Sequence, residues 1–355
     1  MVYNGVFSAI HRENRIAQDR VTRTARPPRI QDVARLAGVS AATVSRVLSN
    51  PAIVAEPTRL AVEEAIAETG YTLNVTARNL RQQQVGGVLA LVPNLANPFF
   101  SQILSGIAEV LRGNGLNLLV LDTTARGGAG PEAIGAYLTR SRADGVIVLD
   151  GSLQPALFRQ PSCPPVVQAC EWIGGLPAPR VLADNAEGGR LAIRHLTGLG
   201  HRRILHLTGP EENSLTVSRR AGVCAGLRAA GLADGALLAG DFSLRSGHAA
   251  AQRILAMAEP PTAVFCDNDE MAIGLINGLV QGGLRVPEDI SVVGFDNIEM
   301  SAYALPPLTT IRQHRARLGR HAANALLALI DGKPCPEEEI LPVELLVRAS
   351  TAAPA

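Results

Sequence analysis

The sequence predicts an α/β protein in two parts: a short three-helix module of helix-turn-helix type, then two lobes built on parallel sheets. Two observations predict it. Between Ile30 and Leu48 the chain reads IQDVARLAGVSAATVSRVL, two short amphipathic helical patterns joined by a Gly-Val turn. From Gly86 onward the texture changes to apolar strands alternating with helices, which implies parallel sheets covered on both faces. At 355 residues the chain is far too long to be the first module alone, so the rest must control it.

In the first helix, Val33, Ala34 and Ala37 share a face, and Gly38 stands where a tight turn needs a residue tolerant of positive φ. Ser40 can cap the next helix, whose Val44 and Val47 point inward while Ala41, Ala42, Ser45 and Arg46 stay outside. A third helix is expected over about Thr58 to Glu68, with Pro57 in its first turn and Gly70 as its stop. Three such helices fit the layout in which the second helix of the motif enters the major groove of DNA. The same residues also allow an ordinary small helical bundle. Against that stand the scarcity of large apolar side chains in about 50 residues and an outer face of Ala, Ser and one Arg, without the Glu/Lys mix of a solvated surface.

Charge divides the same way. Residues 1–84 hold 11 arginines against seven acidic residues, an excess of +4; residues 85–355 hold 22 basic against 25 acidic residues. Most of the excess lies in 1–29, where Arg12, Arg15, Arg20, Arg23, Arg26 and Arg29 are spread through a segment without lasting periodicity. That segment reads as a disordered basic arm able to touch phosphates, and it lacks the apolar core of a secretory signal. Residues 30–72 then form the helix-turn-helix domain and 73–84 a linker. In the linker, TLNVTARNLRQQQ is too short and polar to bury Leu80 against itself. It is either flexible or a helix that forms on a partner, in which case Asn74, Ala77, Arg78 and Arg81 would line a narrow face and Leu80 could wedge into the minor groove.

Residues 85–355 carry the lobes. The first series runs GGVLALVPN, a helix through SQILSGIAEVLRGNG, LNLLVLDTT, a helix PEAIGAYLTRSRADG, and VIVLD; a second series restarts at PPVVQAC and continues through RVLAD, RRILHLTGP, AVFCD and SVVGFDN. Ligands in such sheets bind beyond the carboxyl ends of strands. That rule singles out Asn94, Asn97, Phe99, Phe100, Asp122, Gly209, Pro210, Asp267, Asn268, Asp269, Asp296 and Asn297 as residues for a cleft between lobes. Trp172, the single tryptophan, lies beyond a strand end, as a pocket residue or as core. The apolar ridges of helices 101–112 and 269–281 suit either a dimer interface or the lobe cores.

Enzyme readings find no support. No GxGxxG opens a βαβ unit, no GxxxxGK[ST] occurs, and GGAG at 127–130 lacks the partners for phosphate and reads as a loop. The seven histidines are scattered; His201 reads as a turn residue, and His195 and His206 as packing or solvent-facing. Cys163, Cys170, Cys224, Cys266 and Cys335 have no metal spacing, and an odd count without a secretory segment reads as reduced thiols in the cytoplasm. No cofactor and no metal are expected, the acidic run DNDE at 267–270 included, and no apolar run reaches the length that crosses a membrane.

The motifs DVARLAGVSAATVSRVL, YTLN with ARNLR, NPFF, GHRRI followed by GP, RRAG, PPTAVFCDNDEMAIG, VPEDISVVGFDN and LTTI, in this order, resemble the lactose-repressor family of bacterial transcription regulators over residues 30 to about 350. ACEW, ADNAEGG, GPEE, GDF and GFDNI make its cytidine and purine repressor branch the nearest in appearance. The hinge departs from the family pattern, with Leu73 where proline usually precedes the asparagine.

The resemblance implies a periplasmic-binding-protein-like sensor, a homodimer, double-stranded operator DNA as partner, and hinge helices that order on it. It implies that Ala41, Ala42 and Arg46 face bases, Arg46 reaching guanine O6 and N7, that Ser40 and the helix N-terminus hold phosphate, that Thr43 is among the DNA-binding residues, and that Leu80 intercalates. For the effector it implies Phe99, Phe100, Arg219, Phe242 and Asp296, with the arginine fork and the carboxylate serving ligand hydroxyls and the phenylalanines a flat ring or sugar face. Asn97, Trp172 and Asn268 complete the expected set. Asn213 stands where the purine-binding member has an arginine, which argues against a simple purine corepressor. A nucleoside or a monosaccharide is the expected effector. A periplasmic-type sugar-binding protein without transcriptional role is the alternative, and it has no use for residues 30–81.

Overall fold

The computed structural model describes residues 26, 28–72, 84–124, 131–233 and 235–354. The chain divides into two compact units, Met1–Arg78 and Asn79–Ala355. The basic arm expected over 1–29 falls almost wholly outside the described residues. So do the hinge residues Asn74, Ala77, Arg78, Leu80 and Arg81, and the GGAG segment.

The first unit holds α1 (Ile30–Leu36), α2 (Ala41–Ser49), a 3-10 turn at Pro51–Ile53 and α3 (Glu56–Thr69). Val33, Ala34, Val44, Val47, Val62 and Ala65 form its small buried core. Gly38 makes the turn at φ 66° with the Val39 N–H bonded back to the Ala34 carbonyl at 3.0 Å. The Ser40 hydroxyl accepts the Thr43 N–H at 3.1 Å, satisfying an N-terminal donor of α2 that no helical carbonyl can reach. Helix α3 starts two residues earlier than its apolar pattern suggests and ends on Gly70 in the left-handed conformation.

The second unit has two six-stranded sheets. The first lobe contains β1 (Gly87–Val92), α4 (Phe99–Gly113), β2 (Asn117–Asp122), α5 (Pro131–Tyr137), β3 (Gly145–Val148), β4 (Val166–Ala169) and β5 (Arg180–Ala183). The second contains α6 (Asn185–Gly198), β6 (Ile204–Thr208), α7 (Ser214–Ala229), β7 (Ala236–Ala239), α8 (Leu244–Leu255), β8 (Ala263–Cys266), α9 (Asp269–Gln281), β9 (Ser291–Asp296), α10 (Glu299–Tyr303) and β10 (Thr309–Arg312). The chain then returns to the first lobe with α11 (Arg315–Ile330) and β11 (Glu338–Leu341), and ends its last strand, β12 (Glu344–Leu346), in the second. Sheet orders are β11-β5-β4-β3-β1-β2 and β12-β10-β9-β8-β6-β7. All pairings are parallel except β10 with β12.

Two expectations are corrected here. The second series does not restart at PPVVQAC: β4 pairs with β3 and β5 in the first sheet, and the second lobe begins at α6. Short apolar strands carry no label for the sheet they join; the edges open to them decide it. The helix expected through residue 145 stops at Tyr137, after which Leu138 and Ala143 turn into the core and the Arg140 N–H bonds the Ser162 carbonyl at 3.0 Å.

Helix α4 packs against α11 and α9 against α8 within the lobes, while Val280 of α9 stays 52% exposed, so core packing does not take up the whole of its apolar ridge. A Cβ on Gly106 would overlap the Ala316 carbonyl, and one on Gly319 the Ile103 carbonyl, so α4 and α11 pack almost backbone to backbone.

Candidate functional site

In the DNA-type module, α2 presents Ala42 and Arg46 fully to the outside, with Ser45 and Thr43 half-buried beside them. Ala41 is half-buried, and its methyl packs on the module's core. The exposed Ser40 hydroxyl is already engaged with Thr43, both through the backbone N–H and through the Thr43 hydroxyl at 2.9 Å. The first N–H groups of α2 have no helical carbonyl within reach, and groups of that kind hold phosphate.

The cleft of the second unit is built from strand ends. Cys170, Phe242, Asp296 and Asn297 are the described non-glycine residues with positive φ, and each follows or closes a strand at its carboxyl end. Backbone strain concentrated there marks a site whose geometry the surrounding fold imposes.

From the first lobe, Phe99 and Phe100 begin α4 and meet edge to face, centroids 5.1 Å apart. The Asn97 side chain accepts the Phe99 N–H at 2.8 Å, so it fixes the helix start. Beyond β4, Glu171 is buried and accepts the Gly151 N–H at 2.9 Å, and the Asn213 side chain of the opposite lobe favours its ionised form. Burial, reinforced by nearby Asp150, pushes its carboxyl up to about 7 against the pull of its hydrogen bonds and Arg219. Trp172 is half-buried under the Arg180 guanidinium at 5.7 Å, and its backbone N–H donates to the Ser214 hydroxyl of the second lobe at 3.3 Å.

From the second lobe, Asn213 caps α7 by accepting the Leu215 N–H at 2.8 Å. Nearly two turns on, Arg219 is 1% exposed. Its Nε donates to Asn185 at 2.9 Å, Nη1 donates to the Asp267 carbonyl, and the guanidinium lies 3.8 Å over the Phe295 ring. Nη2 lies 3.8 Å from an Asp296 carboxylate oxygen and has no hydrogen-bond partner among the described residues. Asp296 accepts the Gln313 side chain at 2.6 Å; burial pushes its carboxyl up to about 6 even though Arg219 and Arg315 pull it down. Asn268 caps α9 and donates to the Phe242 carbonyl at 2.8 Å, and Phe242 packs on cores of both lobes.

The structure thus brings Arg219, Asp296, Asn268 and Phe242 to one side, and Glu171, Trp172 and Asn213 to the seam between lobes. Asn97 acts through the helix that carries Phe99. Three polar residues escaped sequence reading. Glu171 sits inside the ACEW motif, next to Trp172. Asp150 holds the Thr123 hydroxyl at the end of β3. Arg315 joins the Phe99 carbonyl at 3.2 Å to the Asn297 carbonyl at 3.0 Å across the lobes, from a helix with no recognisable signal in the sequence. Among the described residues no cluster of three or more His, Cys, Asp or Glu could hold a metal ion, and no helix is long and apolar enough to cross a membrane.

A helix-turn-helix module joined to a two-lobed sensor whose strand ends converge on a buried Arg–Asp pair defines the class: a sequence-specific DNA-binding regulator. Residues 29–74 match the family described as bacterial regulatory proteins, lacI family, and residues 193–351 a periplasmic binding protein-like domain. The chain is 37% identical over 329 residues to the HTH-type transcriptional repressor CytR of Escherichia coli, covering 91% of this chain and 96% of that one. It is 36% identical over 311 residues to the HTH-type transcriptional repressor PurR of Photobacterium profundum, covering 86% and 92%. Among solved structures, the lac repressor dimer bound to operator and the anti-inducer ONPF superposes with a TM-score of 0.81 at 33% identity, covering 92% and 100%. The chain belongs to the lacI family of bacterial regulatory proteins.

Proposed function

We propose that the chain is a repressor that binds operator DNA as a homodimer and changes its affinity for operator when a nucleoside or monosaccharide occupies the cleft. The observation that carries this reading is the unpaired Nη2 of Arg219, buried beside the Asp296 carboxylate. An unpaired buried donor next to an acceptor it does not reach is costly. A ligand carrying adjacent hydroxyls satisfies both, one oxygen accepting from the guanidinium and one hydroxyl donating to the carboxylate. Phe99, Phe100 and Phe242 then serve its flat or apolar face.

Ala42 and Arg46 read bases, Arg46 by its fork on guanine, and Ser40, Ala41 and Thr43 set the helix against the backbone. Asn74, Ala77, Arg78, Leu80 and Arg81 act in the hinge. Glu171 with Asn213, and Trp172 with Ser214, bridge the lobes. Those bridges are where a ligand that rotates the lobes has different contacts in its two states, as coupling requires.

Nucleosides, nucleobases and monosaccharides are screened by thermal shift on the full chain, and each hit is retested by operator-fragment titration at fixed salt. A hit that stabilises the protein and alters operator affinity is the expected result. Ligands that stabilise it without altering operator affinity, or none that bind, would overturn the reading.

A further inference from the structure

On the outer side of the second lobe, between α7 and the edge formed by β6 and β7, lies a chamber of ≈ 40 Å³. Ile204, Val223, Leu227 and Leu237 make its apolar walls, and His206, Arg220 and Cys224 also line it. A water needs about 10–15 Å³ of such space, so the chamber takes a group of roughly two or three heavy atoms. It adjoins an open groove of ≈ 600 Å³ that shares Arg220, Cys224 and Leu237 with it and adds Thr208, Glu211 and Thr216.

Two buried polar atoms along this path lack a hydrogen-bond partner among the described residues: His206 Nδ1 and Thr216 Oγ1. The two side chains are 1% and 3% exposed. His206 Nε2 is spent on the Asp267 carboxylate at 2.7 Å. In the tautomer whose Nε2–H donates to Asp267, Nδ1 is the ring's acceptor and calls for a donor. Arg220 supplies an exposed guanidinium at the mouth. Glu211, exposed on the rim, repels a second negative charge.

We propose that this chamber and groove form a second small-molecule site, separate from the interlobe cleft, for a small 2-hydroxy monocarboxylic acid. Its hydroxyl donates to His206 Nδ1, its carboxylate accepts from the Arg220 fork and the Thr216 hydroxyl, and its short alkyl group fills the apolar chamber. Asp267 connects the two sites: its carboxylate holds His206 and the Gly209 N–H, and its carbonyl holds Arg219. An occupant therefore bears on the guanidinium that faces the cleft.

Cys224, half-exposed where chamber and groove meet, reports occupancy. In the full chain carrying Cys163→Ser and Cys335→Ser, the remaining Cys170 and Cys266 are buried, and the rate of Cys224 alkylation by iodoacetamide is followed by mass spectrometry. The probe is 2-hydroxybutyrate, with butyrate as the analogue lacking the donor. Expected is a saturable slowing, about tenfold at ten times the dissociation constant, with butyrate clearly weaker. Leu237→Trp, which fills the chamber from the exposed edge strand, removes the protection. Should that variant misfold, Arg220→Ala serves in its place and also loses protection. An alkylation rate indifferent to 2-hydroxybutyrate, equal protection by butyrate, or protection that survives in the folded variant overturns the proposal.

Discussion

Arg219 Nη2 and the Asp296 carboxylate stand 3.8 Å apart, too far for a hydrogen bond, inside a site where both side chains are almost fully buried. The gap is held from behind: Asn185 and Asp267 fix the guanidinium, and Gln313 fixes the carboxylate. Arg219→Lys keeps the charge but not the fork. It is expected to weaken binding of the effector found by screening by about 2 kcal/mol, roughly thirtyfold. Calorimetric titration measures it, and a lysine variant that binds as tightly as the parent would show that the fork does not hold the ligand.

Glu171 makes stability depend on pH in a stated direction. Its carboxyl sits at about 7 in the folded chain against an ordinary value of 4.5. Between those values the folded state binds the proton that the unfolded state has lost, so stability falls as pH rises through that window. The loss is of the order of 3 kcal/mol. Asp296, at about 6, acts in the same sense at lower pH. Melting temperatures at pH 5 and pH 8 are expected to differ less in Glu171→Gln than in the parent chain; equal differences would assign the slope to other groups.

Arg46 is exposed on α2, so Arg46→Ala is expected to leave the melting temperature unchanged. Operator affinity should fall by about 1–3 kcal/mol, with loss of preference at one base pair and little change elsewhere. Titration of a panel of single-substitution operator fragments reads this. A uniform loss across the panel would place Arg46 on phosphate instead.

Gly106 and Gly113 lie on the same helix with opposite surroundings. A Cβ at Gly106 meets the Ala316 carbonyl, whereas at Gly113 it meets nothing within 4 Å. Gly106→Ala should cost about 1–3 kcal/mol or more through overpacking. Gly113→Ala should be neutral or mildly stabilising. Thermal denaturation of the two variants side by side tests whether α4 and α11 truly approach backbone to backbone.

Legibility in the sequence followed the range of the interactions. Val33, Val44 and Val47 announced their burial because helical periodicity is local, and Ser40 announced its cap for the same reason. Ala41 reads as outward by spacing, yet its methyl rests half-buried on the core, since the tilt of α2 depends on what α1 and α3 offer it. In the sensor, the sequence places Asn213 and Asn268 among the ligand residues, and the structure also uses both as helix caps, a role that their position before α7 and α9 discloses. Glu171 and Arg315 stayed unread because nothing within several residues of either one explains burying a charge there.

By itself the sequence determined the order of parts, the strand and helix texture, the turn at Gly38 and the family, all of which rest on neighbours in the chain or on motif spacing. Only the tertiary structure decided that β4 and β5 belong to the first sheet and that α11 and β11 return to it. It also decided that Arg219, Asp296, Glu171 and Arg315 share one buried seam. The physical reason is that sheet membership and the pairing of buried charges are settled by contacts between residues as far apart as Phe99 and Arg315. Their energies exist only once the lobes have closed those distances.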